Sequence, residues 1–143
     1  MKIAVASDHA GYRYKEMIKS YLVSKHHLIE DFGTHSQESV DYPDYVHPAC
    51  TSIEDHRNDR GILICGSGQG VAITANKHVG IRAALCWNTE LARLSREHNN
   101  ANVICFAERF LSYDLLEDMV DCFLKSEFVG GRHERRVKKI GNL

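Results

Sequence analysis

Gly61-Ile62-Leu63-Ile64-Cys65-Gly66-Ser67-Gly68-Gln69-Gly70-Val71-Ala72-Ile73-Thr74-Ala75-Asn76 decides the reading of this chain. Four residues of apolar run end in a thiol, a glycine-rich turn follows, and a helix is expected over Val71–Asn76. A continuous apolar run bounded by glycine fits a strand buried on both faces. The thiol of Cys65 then stands at the carboxyl end of a strand, facing the unpaired N–H groups of a new helix. Such groups favour negative charge, and glycines let backbone amides approach a ligand closely. The turn is not the dinucleotide fingerprint, the P-loop or the cysteine-phosphatase loop, because Val71 stands where a third glycine or an arginine would be needed and no Gly-Lys-Ser/Thr follows. Two readings stay open on spacing alone: a tight turn over a buried thiol, or a thiolate placed for chemistry.

The same alternation extends in both directions from this stretch. Strands are expected at Ile3–Ala6, His27–Phe32, Gly61–Cys65, Ile81–Cys86 and Val103–Phe106. Helices are expected from about Ala10 to Ser24, with a stripe of Tyr14, Met17, Ile18, Tyr21 and Leu22, and from Tyr42 to about Asp55, where Pro48 interrupts the pattern. Asn88 can cap a helix running to about His98, and Ser112 one carrying Leu115, Leu116, Met119, Val120, Phe123 and Leu124. After Gly130-Gly131 a short basic helix covers Arg132 to about Lys139. Five strands alternating with helices imply an α/β domain with a parallel sheet covered on both faces. Such sheets bind ligands beyond their carboxyl ends, which picks out Asp8, His9, Asp41, Tyr42, the Cys65–Gly70 turn and Arg109.

Composition narrows the function classes. The chain has 143 residues, 43% hydrophobic and 26% charged, with a formal net charge of -1, so one globular unit over residues 1–143 is expected. No global positive field argues for nucleic acid, and no apolar run is long enough for a membrane helix. Five cysteines, none in C-x-x-C spacing, and an amino terminus that enters a strand at once lead us to expect a reducing, cytoplasmic setting. Cys50, Cys86, Cys105 and Cys122 lie in apolar stretches and are read as packing residues. No compact ligand spacing suggests a metal.

Asp8 and His9 follow the first strand. Asp8 alone reads as a helix cap; beside an imidazole it also suits proton transfer at hydroxyls. His98-Asn99 ends a helix, where either a capping role with Asn99 or Asn100 or a histidine favoured as a cation is compatible with the residues. Arg132 and Arg136, four apart, share a helix face and match a phosphate; a solvated basic tail is the plainer alternative.

Taken in order, Ser7-Asp8-His9-Ala10-Gly11, Asp31-Phe32-Gly33-Thr34, Asp41-Tyr42-Pro43, Cys65-Gly66-Ser67-Gly68-Gln69-Gly70, Ala75-Asn76-Lys77, Gly80-Ile81-Arg82-Ala83, Ser95-Arg96-Glu97-His98-Asn99 and Gly130-Gly131-Arg132-His133 run through the whole chain. This series resembles the sugar-phosphate isomerase family that includes ribose-5-phosphate isomerase B and the allose-6-phosphate and galactose-6-phosphate isomerases. The resemblance implies a Rossmann-like five-stranded parallel sheet of order 2-1-3-5-4, at least a homodimer (or a tetramer), and active sites at the subunit interface. It implies that Asp8, His9, Tyr42 and the loop with Cys65, Gly66, Ser67, Gly68 and Gly70 come from one subunit. His98, Asn99, Arg109, Arg132 and Arg136 would come from the other, with His133 near the phosphate. Valine at 71 places the chain in the subgroup whose base is a cysteine, at Cys65, rather than a glutamate. The expected reaction interconverts D-ribose 5-phosphate and D-ribulose 5-phosphate through a cis-enediolate, with no cofactor or metal. His98 and Asp8 would assist ring opening, and Ser67 would bond the thiol or substrate oxygens. The competing readings are an isomerase of a 6-phosphate aldose and a non-catalytic phosphate-binding module.

Overall fold

The computed structural model describes residues 1–141; the last two residues of the expected 1–143 unit lie outside the described part. Five strands, β1 (Lys2–Ser7), β2 (Leu28–Asp31), β3 (Arg60–Cys65), β4 (Ala83–Leu85) and β5 (Val103–Ala107), form one sheet of order β2-β1-β3-β5-β4. Every pairing is parallel. The helices are α1 (Tyr12–Ser24), α2 (Pro43–Glu54), α3 (Gln69–Ala75), α4 (Thr89–Asn99), α5 (Tyr113–Lys125) and α6 (Arg132–Ile140), with a 3-10 turn over Glu108–Phe110.

Alternation along the strands sorts side chains into two cores. Ile3, Val5, Ile62, Ile64, Ile104 and Phe106 pack against α1, α4 and α5, through residues such as Ile18, Ala92 and Phe123. Ala4, Ala6, Leu63, Cys65, Val103 and Cys105 face α2 and α3, meeting Val46, Cys50, Val71 and Ala75. Cys65 therefore points to the α2/α3 side. The expected caps form: the Asn88 side chain accepts from the Leu91 amide at 2.8 Å, and Ser112 Oγ from the Leu115 amide at 3.3 Å. Asn100 closes α4 in the left-handed conformation, at φ 47°.

Three local expectations differ from the fold. The buried stripe of α1 holds Lys15, fully enclosed, while Met17 is 41% exposed. The Lys15 ammonium is paired with Glu16 at 2.6 Å and Asp31 at 2.7 Å, which makes its burial tolerable. Burial pushes the Asp31 carboxyl up, but hydrogen bonds from Lys15, Lys19 and the Gly33 amide outweigh it and hold the group below its usual range. Pro48 sits inside α2 without ending it. It is exposed, so the carbonyl left without its donor can face water. Strand β4 is three residues long rather than six. The side chains of Asn102 and Asn76 take the amides of Arg82 and Ala83, so at this edge side-chain bonds stand where a neighbouring strand would.

Candidate active site

Cys65 closes β3 and is 4% exposed. Its Sγ accepts a hydrogen bond from the Gly68 amide at 3.1 Å. The turn that brings the amide round requires glycine: Gly68 has φ +72°, and a Cβ there would lie 2.4 Å from Leu85 Cδ1. Among the described residues no other cysteine sulfur accepts a backbone amide. Burial pushes the Cys50 thiol up to about 12 and the Cys86 thiol up to about 11, and raises Cys105 well above the ordinary value. Cys122 is half-buried rather than enclosed, with Sγ donating to the Thr89 carbonyl at 3.4 Å.

Functional groups converge on the Cys65 turn from every neighbouring strand end. The Arg109 guanidinium lies over Gly66, where a Cβ would meet its Cζ at 3.0 Å, and the Arg109 amide bonds the Gly66 carbonyl at 3.2 Å. The Tyr42 ring lies against Gly70, where a Cβ would meet Cζ at 2.5 Å. Asp8 is buried, and its Oδ1 accepts from the amides of Ala10 and Gly11 at 2.9 and 3.1 Å. These bonds fix the carboxylate by one oxygen and explain why the capping and functional readings of Asp8 are compatible. His9 Nδ1 accepts from the Val40 amide at 3.2 Å, which puts the proton of the neutral ring on Nε2, ready to donate. Ser67 is exposed, and its Oγ accepts from the Gln69 amide at 3.4 Å. Of the two roles expected for Ser67, the contact to the thiol is made by the Gly68 amide instead, and the exposed hydroxyl remains open to substrate oxygens.

His98, Asn99, Arg132, His133 and Arg136 form a second cluster. The His98 and His133 rings stack at 4.1 Å with planes 6° apart. The Val129 amide bonds the Glu97 carbonyl at 3.1 Å, laying the segment before α6 along α4. Burial against α4, then the neighbouring charges of His98, Arg132 and Arg136, lower the His133 pKa from its ordinary value. Arg132 and Arg136 are exposed, and neither makes an ion pair among the described residues. Helix α4 starts beyond the carboxyl end of β4 and ends just before the amino end of β5. Its 11 residues span about 16 Å. His98 therefore stands at the opposite edge of the sheet from Cys65 in the same chain. Arg109, expected with the His98 group, sits instead on the Cys65 side, because the turn after β5 lies beside the turn after β3.

Trp87 and Phe110, which follow β4 and β5, are both exposed at the same carboxyl edge and were not expected there. The rule that picked out Asp8 and Arg109, residues just beyond strand ends, would have found them. Among the described residues no group of three His, Cys, Asp or Glu side chains is arranged to hold a metal ion, and no helix is long and apolar enough to cross a membrane.

This arrangement has close counterparts. A family profile described as Ribose/Galactose Isomerase matches residues 3–140. Ribose-5-phosphate isomerase B of Escherichia coli is 42% identical over 139 residues, covering 97% of this chain and 93% of that protein. A ribose-5-phosphate isomerase B structure from Clostridium thermocellum superposes with a TM-score of 0.98 at 51% identity, covering 99% of this chain and 96% of that one. The Mycoplasma genitalium enzyme with bound ribulose-5-phosphate gives a TM-score of 0.94 at 40% identity, covering 99% and 94%. With residues 3–140 matched by the family profile and the fold superposing over nearly its whole length, the chain belongs to the Ribose/Galactose Isomerase family.

Proposed function

We propose that this chain is a ribose-5-phosphate isomerase, acting in the cytoplasm as an oligomer of single catalytic units spanning residues 1–143. The observation that carries the reading is the Cys65 sulfur at the carboxyl edge, held by the Gly68 amide and flanked by Arg109, Tyr42 and Asp8. The arginines bind the substrate phosphate and supply binding energy away from the reacting carbons. His98 and Asp8 move the protons of ring opening. Cys65, as thiolate, takes the proton from C2 of the open aldose and returns it to C1, so no electrons enter or leave overall. The cis-enediolate between these steps is met by backbone amides of Gly66–Gly70 acting as an oxyanion hole.

His98, Arg132 and Arg136 lie too far from Cys65 within one chain to share a substrate with it, so a second copy supplies them. Exposed apolar residues on the α3/β4 side, Ile73, Val79 (89% exposed), Trp87 and Phe110 (76% exposed), support a partner there. A two-fold dimer then carries two sites, each built from both chains.

The test mixes two inactive variants, Cys65→Ala and His98→Ala, after reversible dissociation. Half of the reassorted dimers are mixed and each holds one intact site, so activity on ribose 5-phosphate returns to about a quarter of wild type. If activity does not return although mixed dimers form, the shared site is wrong. Solvent deuterium entering at C2 of the sugar phosphate separates an isomerase from a binding module. The family description also names galactose, so the assay includes 6-phosphate aldoses; a faster rate on one of these would replace the substrate assignment while leaving the chemistry in place.

A further inference from the structure

A groove of about 620 Å³ lies at the amino edge of the sheet, at the other end of β3 from Cys65. Strand β3 has six residues, so Arg60 and Cys65 stand about 17 Å apart. The register builds this groove. Gly61 and Ala83 both pair with Val103 of β5, so Arg60, the first residue of β3, stands in one row with Asn102 and Arg82, which immediately precede β5 and β4. Arg60 and Arg82 thus flank the start of β5 from its two sides, and both line the groove.

Their guanidiniums lack acidic partners. Arg60 Nη1 donates to the Asp59 carbonyl at 2.7 Å, and Arg82 Nε to the Asn100 carbonyl at 2.9 Å. Neither makes a salt bridge among the described residues. Behind them the guanidinium of Arg96, almost fully buried, is bonded to Asn100 Oδ1 and the Ala101 carbonyl. Burial, then the nearby charges of Arg60 and Arg82, push Arg96 down to about 10; burial and Arg60 lower Arg82 as well. The groove's two carboxylates, Asp59 and Glu54, are hydrogen-bonded to other groups rather than to the guanidiniums. Asp59 accepts the Lys2 amide at 2.8 Å, while Glu54 takes His78 and the Gly80 amide at 2.8 and 2.9 Å. Three cations are crowded together with no ion pair among the described residues, and only Asp59, acting at a distance on Arg60, offsets their charge.

We propose that this groove binds a small phosphate-bearing anion, gripped by the guanidiniums of Arg60 and Arg82. Arginine forks match phosphate oxygens in geometry as well as charge. The volume falls in the range of small-ligand sites, enough for inorganic phosphate or a phosphorylated metabolite. The groove contains none of the residues assigned to the isomerase site. It touches that site through Arg82, which holds the Asn100 carbonyl at the end of the helix that carries His98.

The test is an amide NMR titration of the full chain with inorganic phosphate and, separately, with ribose 5-phosphate. Saturable shifts are expected at Gly80, Arg82 and Asn102, distinguishable from any at Gly66–Gly70. Response to both ligands means that phosphate alone suffices; response to the sugar phosphate only assigns the site to a metabolite. Arg60→Gln, which removes a single bond to a neighbouring carbonyl, should weaken binding at this edge at least tenfold while leaving the Gly66–Gly70 response unchanged. Absent shifts at Gly80 and Asn102, or an Arg60→Gln titration that superposes on wild type, would overturn the proposal. A silent Cys65 turn would instead count against the isomerase reading alone.

Discussion

The Cys65 turn and the His98–α6 cluster are built by different means. Around Cys65 the protein uses backbone: a left-handed glycine, an amide on sulfur, a guanidinium over Gly66 and a phenol ring against Gly70. A side chain added at Gly68 or Gly70 would clash with Leu85 or Tyr42. The second cluster uses long side chains on an exposed helix, held by one ring stack and one backbone bond. The contrast matches the proposed division of labour. Proton abstraction at carbon needs fixed geometry, whereas holding a phosphate dianion tolerates flexible arms.

That contrast can be broken most directly at the sulfur. Cys65→Ala should lower kcat by about 10³-fold or more, in the upper range for loss of a general base, while calorimetric affinity for ribose 5-phosphate stays near wild type. Near-normal turnover would remove the cysteine from the mechanism. Gly68→Ala comes next. It forces a side chain into φ +72° and against Leu85, which should destabilise the fold by roughly 1–3 kcal/mol in urea unfolding and disrupt the amide–sulfur bond. An unchanged unfolding midpoint would mean that the turn is softer than its contacts indicate. On the flexible side, Arg136→Ala should raise KM about tenfold with little change in kcat, as expected when binding common to ground and transition states is removed. A fall in kcat at constant KM would assign this arginine to the chemical step.

The smallest expected effect is electrostatic. Burial, then its cationic neighbours, lower the His133 pKa from its ordinary value. A histidine with a depressed folded pKa binds fewer protons than the unfolded chain between the two pKa values. Its contribution to stability is therefore complete above the unfolded pKa and is lost as pH falls toward the folded one. Proton NMR should show the His133 midpoint below that of an unperturbed histidine, moving upward in Arg136→Ala. No movement would mean that the cluster does not act as an electrostatic unit.

The legibility of the two regions in sequence differs for the same physical reason. Strand-end placement, caps and the glycine turn are local, so Cys65, Asp8, Asn88 and Ser112 could be read from short stretches. The fully buried Lys15 could not, because its partner Asp31 is on another element. Nor could the shortness of β4, which is set by side-chain clasps from Asn76 and Asn102. Arg109 was assigned to the wrong group because which of two clusters a residue joins depends on the neighbour order of strands, and β5 lies beside β3. For Ser67, read as a partner of the thiol or of substrate oxygens, the tight turn gives the thiol contact to the Gly68 amide and leaves the exposed hydroxyl for the second role.

The direction of α4 has a kinetic consequence. Since it carries His98 back to the start of β5, a solitary polypeptide holds an acceptor and a donor facing different solvent. Catalysis is then second order in chain at high dilution and first order once association saturates. Specific activity followed down a dilution series becomes a direct measure of the association constant, obtained from initial velocities alone.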